Sequence, residues 1–368
     1  MRCEIQFEKL KNAVLLTEKV AGRRTTLPVL SCILIEIKKN NATIKSTNLD
    51  VGIEVSVPVK SDTDGVFAVP AHTLSSFLSQ ADGNEQIVRL ESSSGNLNIQ
   101  LSKSKGTIKT VPPEDFPAIP SVTDGKTSVF PSDILVKGFK SVWYSAAVSN
   151  VKPELSSIYV YNDANSIVFA ATDSFRLGEK KVMLPKAAAF EDMLIPFKNA
   201  IEITRVLESI GPTVTVRSNK NLVSFEANDT RITSRIIDGV FPDYRQIIPK
   251  GCTTEAVILK QDLINTLKIS SVFSDSFNQV HFVLDPKKKL FSTETKNNDV
   301  GENRSELDAA LSGEPIEVNF NCKYISDSFQ SIDADSLSLQ FNGKNKPLVI
   351  RSVSGDQSFL YLVMPMNR

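Results

Sequence analysis

The feature that most narrows what this chain can become is a repeat with a period near 125 residues. Each third carries an amphipathic stretch behind a polar start: FEKLKNAVLLTEKV at 7–20, PSDILVKGFKSVWYSAA at 131–147 and KQDLINTLKISSVF at 260–273. Superposing Leu10, Ile134 and Leu263 gives spacings of 124 and 129. A shorter helix follows an apolar run in each third, in FAVPAHTLSSFLSQ, MLIPFKNAIEITRVLESI and VNFNCKYISDSFQSI, and there Pro70, Pro196 and Asn321 align at spacings of 126 and 125. The thirds also close alike, on DFPAIP, DYRQIIP and LYLVMP. Two independent markers that agree on so long a period point to three copies of one unit, each large enough to bury a core of its own.

Between the helices the chain reads as hairpins. CILIEIKKNNATIKSTN alternates around Asn-Asn, and SIYVYNDANSIVFAAT, HFVLDPKKKLFSTE and LSLQFNGKNKPLVIRSV alternate around Asp-Ala-Asn, Asp-Pro and Asn-Gly, the residues tight turns require. Antiparallel sheet with two helices per unit is an α+β pattern, with domains expected at 1–122, 123–250 and 251–368. In the second unit Leu135, Phe139, Val142 and Ala146 form an apolar stripe, with Lys137, Lys140 and Tyr144 opposite. In its shorter helix Ile203, Leu207 and Ile210 face inward, and Lys198 and Arg205 face outward. Taken one helix at a time, such cations read equally well as a solvated face. The same layout met three times favours a shared positive lining.

Composition removes several chemistries. Lys and Arg number 42 against 42 Asp and Glu, which argues against a protein that grips DNA by bulk attraction. Cys3, Cys32, Cys252 and Cys322 are scattered without metal-ligand spacing, and read as free thiols in a reducing cytosol. His72 and His281 are the two histidines, and neither sits in a ligand motif. No phosphate-binding glycine loop or nucleophile elbow occurs. A carboxylate-dependent hydrolase would have to use residues such as Asp50, Asp173 and Asp229, which lie at strand ends in different units. No apolar run approaches the roughly 18 residues of a membrane span, and MRCEIQFEKL lacks the apolar core of a secretory signal, so the expectation is a cytoplasmic protein.

Four blocks carry a resemblance: GRRTTLPVL (22–30), FAATDSFRLGEKKV (169–182), VSFEANDTRITSRIIDGVFPDYRQIIP (223–249) and YLVMPMNR (361–368). In this order, and over essentially the whole chain, the sequence resembles the bacterial sliding clamps, the beta subunits of DNA polymerase III. The resemblance implies a non-catalytic processivity factor without a cofactor, made of three DNA-clamp domains. It implies a head-to-tail homodimer closed as a ring around duplex DNA, with helices on the inner wall. The implied partners are double-stranded DNA of any sequence, a second copy of the chain, an ATP-using clamp loader, and the replicative polymerase and other proteins that carry clamp-binding peptides. Balanced charge suits such a ring, because topology holds the DNA and phosphate contacts need only be weak.

The same resemblance distributes site residues. Arg24 stands where the family has an arginine that touches DNA. Lys137, Lys140, Lys198 and Arg205 are then joined at the pore by Lys268 and Lys323, with Lys152 as the contact in the loop 149–154. A hydrophobic cleft for partner peptides would take Leu155, Thr172, Ser174, Phe175, Arg176 and Leu177, then Pro242 and Ile247, and from the tail Leu362, Val363, Met364, Pro365 and Met366. Met and Leu suit an adaptable apolar pocket, although LVMPM by itself reads as a last core strand. Departures from familiar members fall at the rim: Phe175 where histidine or tyrosine is common, and Gln246 and Asn367 at arginine positions. They bear on peptide selectivity. Thr73 replaces a basic residue found in some relatives. For the subunit interface the candidates are Ile108 on the first unit with Val272 and Phe273 on the third, and Glu302 facing Lys103, Lys105 or Lys109. A monomeric peptide-binding scaffold that has lost ring closure is the competing reading.

Overall fold

The computed structural model describes residues 1–22, 27–81, 85–93, 95–184 and 190–366. The first repeat contributes β1 (Arg2–Gln6), α1 (Phe7–Glu18), β2 (Cys32–Lys38), β3 (Asn41–Thr47), β4 (Val51–Ser61), β5 (Gly65–Pro70), α2 (Ala71–Ser79), β6 (Ile87–Ser93), β7 (Asn96–Gln100) and β8 (Lys105–Lys109). The second runs β9 (Lys126–Pro131), α3 (Ser132–Val142), β10 (Ser157–Asp163), β11 (Ser166–Thr172), β12 (Arg176–Met183), β13 (Met193–Pro196), α4 (Phe197–Leu207), β14 (Thr213–Ser218), β15 (Leu222–Ala227) and β16 (Thr230–Arg235). The third runs β17 (Thr254–Leu259), α5 (Lys260–Val272), β18 (Gln279–Asp285), β19 (Leu290–Asn297), β20 (Gly301–Glu306), β21 (Ala309–Gly313), β22 (Ile316–Asn321), α6 (Cys322–Asp327), β23 (Ser336–Phe341), β24 (Leu348–Ser352) and β25 (Phe359–Val363). The repeat read from the sequence is therefore a repeat of elements. A strand followed directly by a helix opens each third, and a second strand-to-helix step sits near its middle.

Those mid-repeat steps explain the aligned positions. Pro70 and Pro196 are the last residues of β5 and β13, and each helix begins at the next position, where proline's fixed φ favours the change of direction. Asn321 does the same work by another route. Its side chain accepts from the backbone N–H groups of Lys323 and Tyr324 at 3.0 and 3.2 Å, capping α6.

All pairing is antiparallel, and two sheets run across repeat boundaries. One has the order β8-β7-β6-β1-β4-β16-β15-β14-β9, with β2, β3 and β5 branching from β4. It joins the first repeat to the second where β4 meets β16, Ile53 opposite Ile232. Another has the order β13-β10-β11-β12-β25-β24-β23-β17-β21 and joins the second repeat to the third where β12 meets β25, Leu177 opposite Leu362. A four-stranded sheet, β20-β19-β18-β22, completes the third repeat. Because hydrogen bonding crosses the boundaries, the described residues gather into two compact units. One holds Met1–Val136, Ala188–Glu191 and Lys198–Ile236, and the other holds Lys137–Ala187, Asp192–Phe197 and Ile237–Arg368.

Helices lie on the sheets by their apolar faces. In α1 the buried Phe7, Leu10, Ala13 and Val14 follow helical spacing, and the helix packs on β3 and β4. In the second unit Gly138 lets α3 settle directly on the ring of Phe169, where any Cβ would collide. Leu135, Phe139 and Val142 are buried as the stripe requires, while Lys137 and Lys140 are exposed. Tyr144 departs from the expectation. The helix ends at Val142, and Tyr144 in the following turn lies half-buried, its hydroxyl bonded to Ser331 Oγ at 2.9 Å. A break in helical phase swings it inward to pack against Tyr361.

Candidate functional site

Three chain segments of the second unit converge on one strand, β12. The first is the turn between β11 and β12, spelled Thr172-Asp173-Ser174-Phe175. Asp173 Oδ1 accepts from the N–H groups of Phe175 and Arg176, both at 3.0 Å, and Thr172 Oγ1 donates to the Arg176 carbonyl at 2.6 Å. Ser174 is held at φ 77°, a left-handed conformation that side chains seldom adopt. The outcome is an outward Phe175 ring, 60 % exposed. Asp173 is thus committed to shaping a turn, which is how a carboxylate earlier considered for hydrolysis is used.

Arg176, expected in the cleft, is tied to side chains of its own unit. Its side chain is only 10 % exposed, with Nε 3.0 Å from Asp173 and Nη1 2.6 Å from Asp327. Its guanidinium lies 4.4 Å from the centre of the Tyr324 ring. Two carboxylates and an aromatic face fix its orientation. Asp327 and Tyr324, both on α6, were missed from the sequence because nothing local marks them as partners of a residue 151 positions away.

The second segment is the tail. Arg176 pairs with Val363 and Leu177 with Leu362, and beyond β25 the Met364 N–H bonds the Phe175 carbonyl at 2.8 Å. The Met366 N–H bonds the Asn319 carbonyl of β22 at 2.8 Å, so the tail bridges two sheets. Leu155, Thr172, Leu177, Leu362 and Val363 are buried and form the floor. Met364, Pro365 and Met366 are half-buried and line the wall, while Ser174 and Phe175 are exposed. Asn367 lies outside the described residues.

The third segment is the linker. Phe241 is buried and stacked on Tyr159 at 5.1 Å, and Tyr244 is buried as well. Around these anchors Pro242 and Ile247 stay exposed. Gln246 bonds Asp243 Oδ2 at 2.7 Å. On these three segments Phe175, Pro242 and Ile247 are exposed and Met364, Pro365 and Met366 half-buried, apolar side chains left outside the core.

The cations have varied surroundings. Lys140, Lys152, Lys198, Arg205, Lys268 and Lys323 are exposed, while Arg24 lies outside the described residues. Lys137 is exposed but bonded to Asp356 Oδ2 at 2.9 Å. The same carboxylate holds Lys180 at 2.6 Å, whose side chain is 1 % exposed. Burial alone would push the Asp356 carboxyl up, but hydrogen bonds from Lys180, Ser358 and Lys137 prevail and hold it well below the usual carboxylate range. Burial lowers the pKa of Lys180, opposed by Asp356. On α4 Glu202 falls between Lys198 and Arg205, four residues after the first and three before the second, and accepts from Asn48 Nδ2 at 2.7 Å. Its burial pushes the carboxyl up to about 7, with Asn48 and Arg205 pulling the other way. Among the described residues no cluster of His, Cys, Asp or Glu could hold a metal ion.

Strands β8 and β20 each end a sheet among the described residues, as do β9, β13, β21 and β22 and, on its branch, β5. Lys105 and Lys109 are exposed on β8, and Glu302 and Glu306 on β20. Val272 is 63 % exposed, and Ile269 of the same helix, Phe277 and Val300 are exposed as well. Phe273 is half-buried. Ile108 is a correction: at 7 % exposed it belongs to the core of its own repeat, since it points inward from β8.

A threefold repeat of antiparallel sheet with two helices per repeat, its sheets running across the repeat boundaries, is the architecture of a DNA clamp. The family of DNA polymerase III beta subunits matches in all three of its parts, the N-terminal domain at residues 1–120, the central domain at 130–243 and the C-terminal domain at 245–367. The chain belongs to that family, the sliding clamps. It is 26 % identical to the beta sliding clamp of Caulobacter vibrioides over 378 residues, covering 100 % of both chains. With the Synechocystis beta sliding clamp it shares 26 % over 381 residues, 97 % of each chain. The Thermotoga maritima DNA polymerase III beta subunit superposes with a TM-score of 0.92 at 24 % identity, over 100 % of this chain and 99 % of that one. A Pseudomonas aeruginosa sliding clamp bound to griselimycin superposes with a TM-score of 0.91 at 22 % identity, over 100 % of both. Among the described residues no helix is long and apolar enough to cross a membrane.

Proposed function

We propose that two copies of this chain close head to tail into a ring around duplex DNA, and that the ring tethers the replicative polymerase without catalysing a reaction itself. The supporting observation is a strand correspondence. In the first joint the strand after the central hairpin, β4, pairs with the last strand of the next repeat, β16. In the second joint the equivalent strands β12 and β25 pair in the same way. The remaining members of the series are β20, in the third repeat, and β8, in the first. Both are open edges among the described residues, one presenting Glu302 and Glu306, the other Lys105 and Lys109. Completing the series with a second copy makes the third joint, and an identical joint on the far side closes the assembly, as a heterologous contact must if it is not to grow into a filament. Charge complementarity fixes the register, and exposed Val272 and Ile269 on α5 add apolar area.

In this reading the domains are 1–122, 123–250 and 251–368. Lys140, Lys152, Lys198, Arg205, Lys268 and Lys323, with Arg24, supply weak phosphate contacts that do not depend on sequence. The apolar cleft on β12 receives peptides carried by a clamp loader, polymerases and other replication and repair proteins, in the cytoplasm. The loader supplies the ATP chemistry.

Retention on DNA tests the proposal. After loading by a matched clamp loader, the protein is expected to stay on nicked circular DNA and to slide off the same DNA once linearised. Equal retention on both would mean direct affinity rather than linkage. Loss from both, with an active loader, would favour a monomeric scaffold.

A further inference from the structure

The linker wall of the cleft is held by a directional chain of hydrogen bonds. Arg245 Nη2 donates to the Tyr161 hydroxyl at 2.9 Å, and its guanidinium also lies 5.1 Å from the centre of that ring. The Tyr161 and Tyr244 hydroxyls are 2.8 Å apart, and the Tyr244 hydroxyl donates to Glu179 Oε2. With Glu179 accepting at one end and Arg245 donating at the other, Tyr161 must donate to Tyr244, so each hydroxyl accepts one bond and gives one. A chain ordered this way between opposite charges strengthens along its length.

Its placement gives it a function. Tyr244 and Arg245 belong to the linker, Tyr161 to β10 and Glu179 to β12. Glu179 lies two residues past Leu177, on the strand whose start forms the Phe175 side of the cleft and whose length pairs with the tail strand β25. Pro242 and Ile247 flank Tyr244, and the Pro242 carbonyl accepts from the Tyr244 N–H at 2.8 Å. All three walls are thereby referred to β12: the turn by continuity, the tail by strand pairing and the linker by this chain.

Building on the peptide-cleft reading, we propose that Tyr244, Glu179 and Tyr161 are positioning residues for partner capture. They hold Pro242 and Ile247 at a fixed distance from Phe175 and the tail without touching the ligand. Stacking of Phe241 on Tyr159 keeps the linker folded, but stacked rings tolerate sliding, whereas the hydroxyl chain sets direction.

Griselimycin binding, measured by calorimetry on the full chain alongside thermal unfolding, tests this. Tyr244→Phe is expected to weaken binding about tenfold, the loss of one well-made hydrogen bond to a charged group. Glu179→Met is expected to do the same and Glu179→Gln, whose amide carbonyl still accepts, to recover most of it. Tyr161→Phe leaves the Tyr244–Glu179 bond in place and is expected to lose less. Val280→Ala, in the core of the other sheet of the same unit, provides the comparison: it should lower Tm and leave affinity alone. Wild-type affinity in Tyr244→Phe, or an equal loss in Val280→Ala, overturns the positioning role. A wild-type chain that fails to bind griselimycin overturns the cleft reading itself, and the inference with it.

Discussion

Asp356→Asn offers a sharp test of how the second unit is held together. Asp356 sits in the turn between β24 and β25, and one of its oxygens, Oδ2, receives both the buried Lys180 at 2.6 Å and the exposed Lys137 at 2.9 Å. Ser358 adds a bond at 2.6 Å to the Lys180 ammonium. Substituting asparagine leaves Lys180 charged, almost wholly out of water and without its bonded carboxylate, with only Asp333 as a more remote negative charge. Breaking a buried pair from one side costs about 3–5 kcal/mol, and the asparagine carbonyl, which can still accept one bond, brings the expectation to about 3 kcal/mol. The single tryptophan, Trp143, lies in this unit and reports its unfolding by fluorescence. With a urea dependence of about 2–3 kcal/mol per molar, the midpoint should fall by about 1–1.5 M at pH 7.

The pH dependence carries a defined sign. In the variant the folded-state pKa of Lys180, already lowered by burial, falls further. Between that value and the unfolded one, the unfolded chain binds more protons, so the variant regains stability relative to wild type as pH rises toward about 10. At the acid end, wild type loses what Asp356 contributes as pH falls below about 4 and through the depressed folded value, so the gap narrows there too. The double variant Lys180→Met, Asp356→Leu should come back close to wild type, since apolar side chains replace a buried pair without stranding a charge. A loss under about 0.5 kcal/mol for Asp356→Asn at pH 7, or a gap that does not change with pH, would refute the reasoning, because a well-solvated pair contributes no more than that.

If the proposed cleft binds griselimycin, deleting residues 364–368 should abolish that binding while leaving the assembly state seen by analytical ultracentrifugation unchanged; retained affinity would remove the tail from the cleft. Glu202→Gln should raise stability by about 1–2 kcal/mol at pH 8, because burial lifts the Glu202 carboxyl to about 7 and a raised folded pKa makes stability fall as pH climbs from about 4.5 to that value. Below pH 4.5 the variant and wild type should coincide, and a constant difference across the range would contradict the assignment.

The repeat, the hairpins and the helix faces were legible because each is written in local periodicity. Leu135, Phe139 and Val142 recur at helical spacing, and Pro70 and Pro196 mark a strand-to-helix step wherever they stand. The proposed cleft came from the sequence only as blocks resembling a family. The ATDSFRL block marks a turn, yet nothing in it tells that Phe175 projects while Arg176 turns under. Ile108 shows the same limit: an apolar residue on an edge strand can face either side, and pleat parity turned it inward.

Sequence by itself determined that there are three α+β units, where their main helices and several hairpins fall, and most of the apolar helix faces, since those follow from backbone sterics and the burial of neighbouring side chains. Tertiary structure decided which charges remain available. Lys137 meets Asp356 from 219 residues away and Arg176 meets Asp327 from 151, while Tyr244 finds Glu179 across 65. Such pairs form where strand registry happens to bring a donor beside an acceptor out of water, and there a single contact changes both the charge a residue can offer and the wall it holds in place.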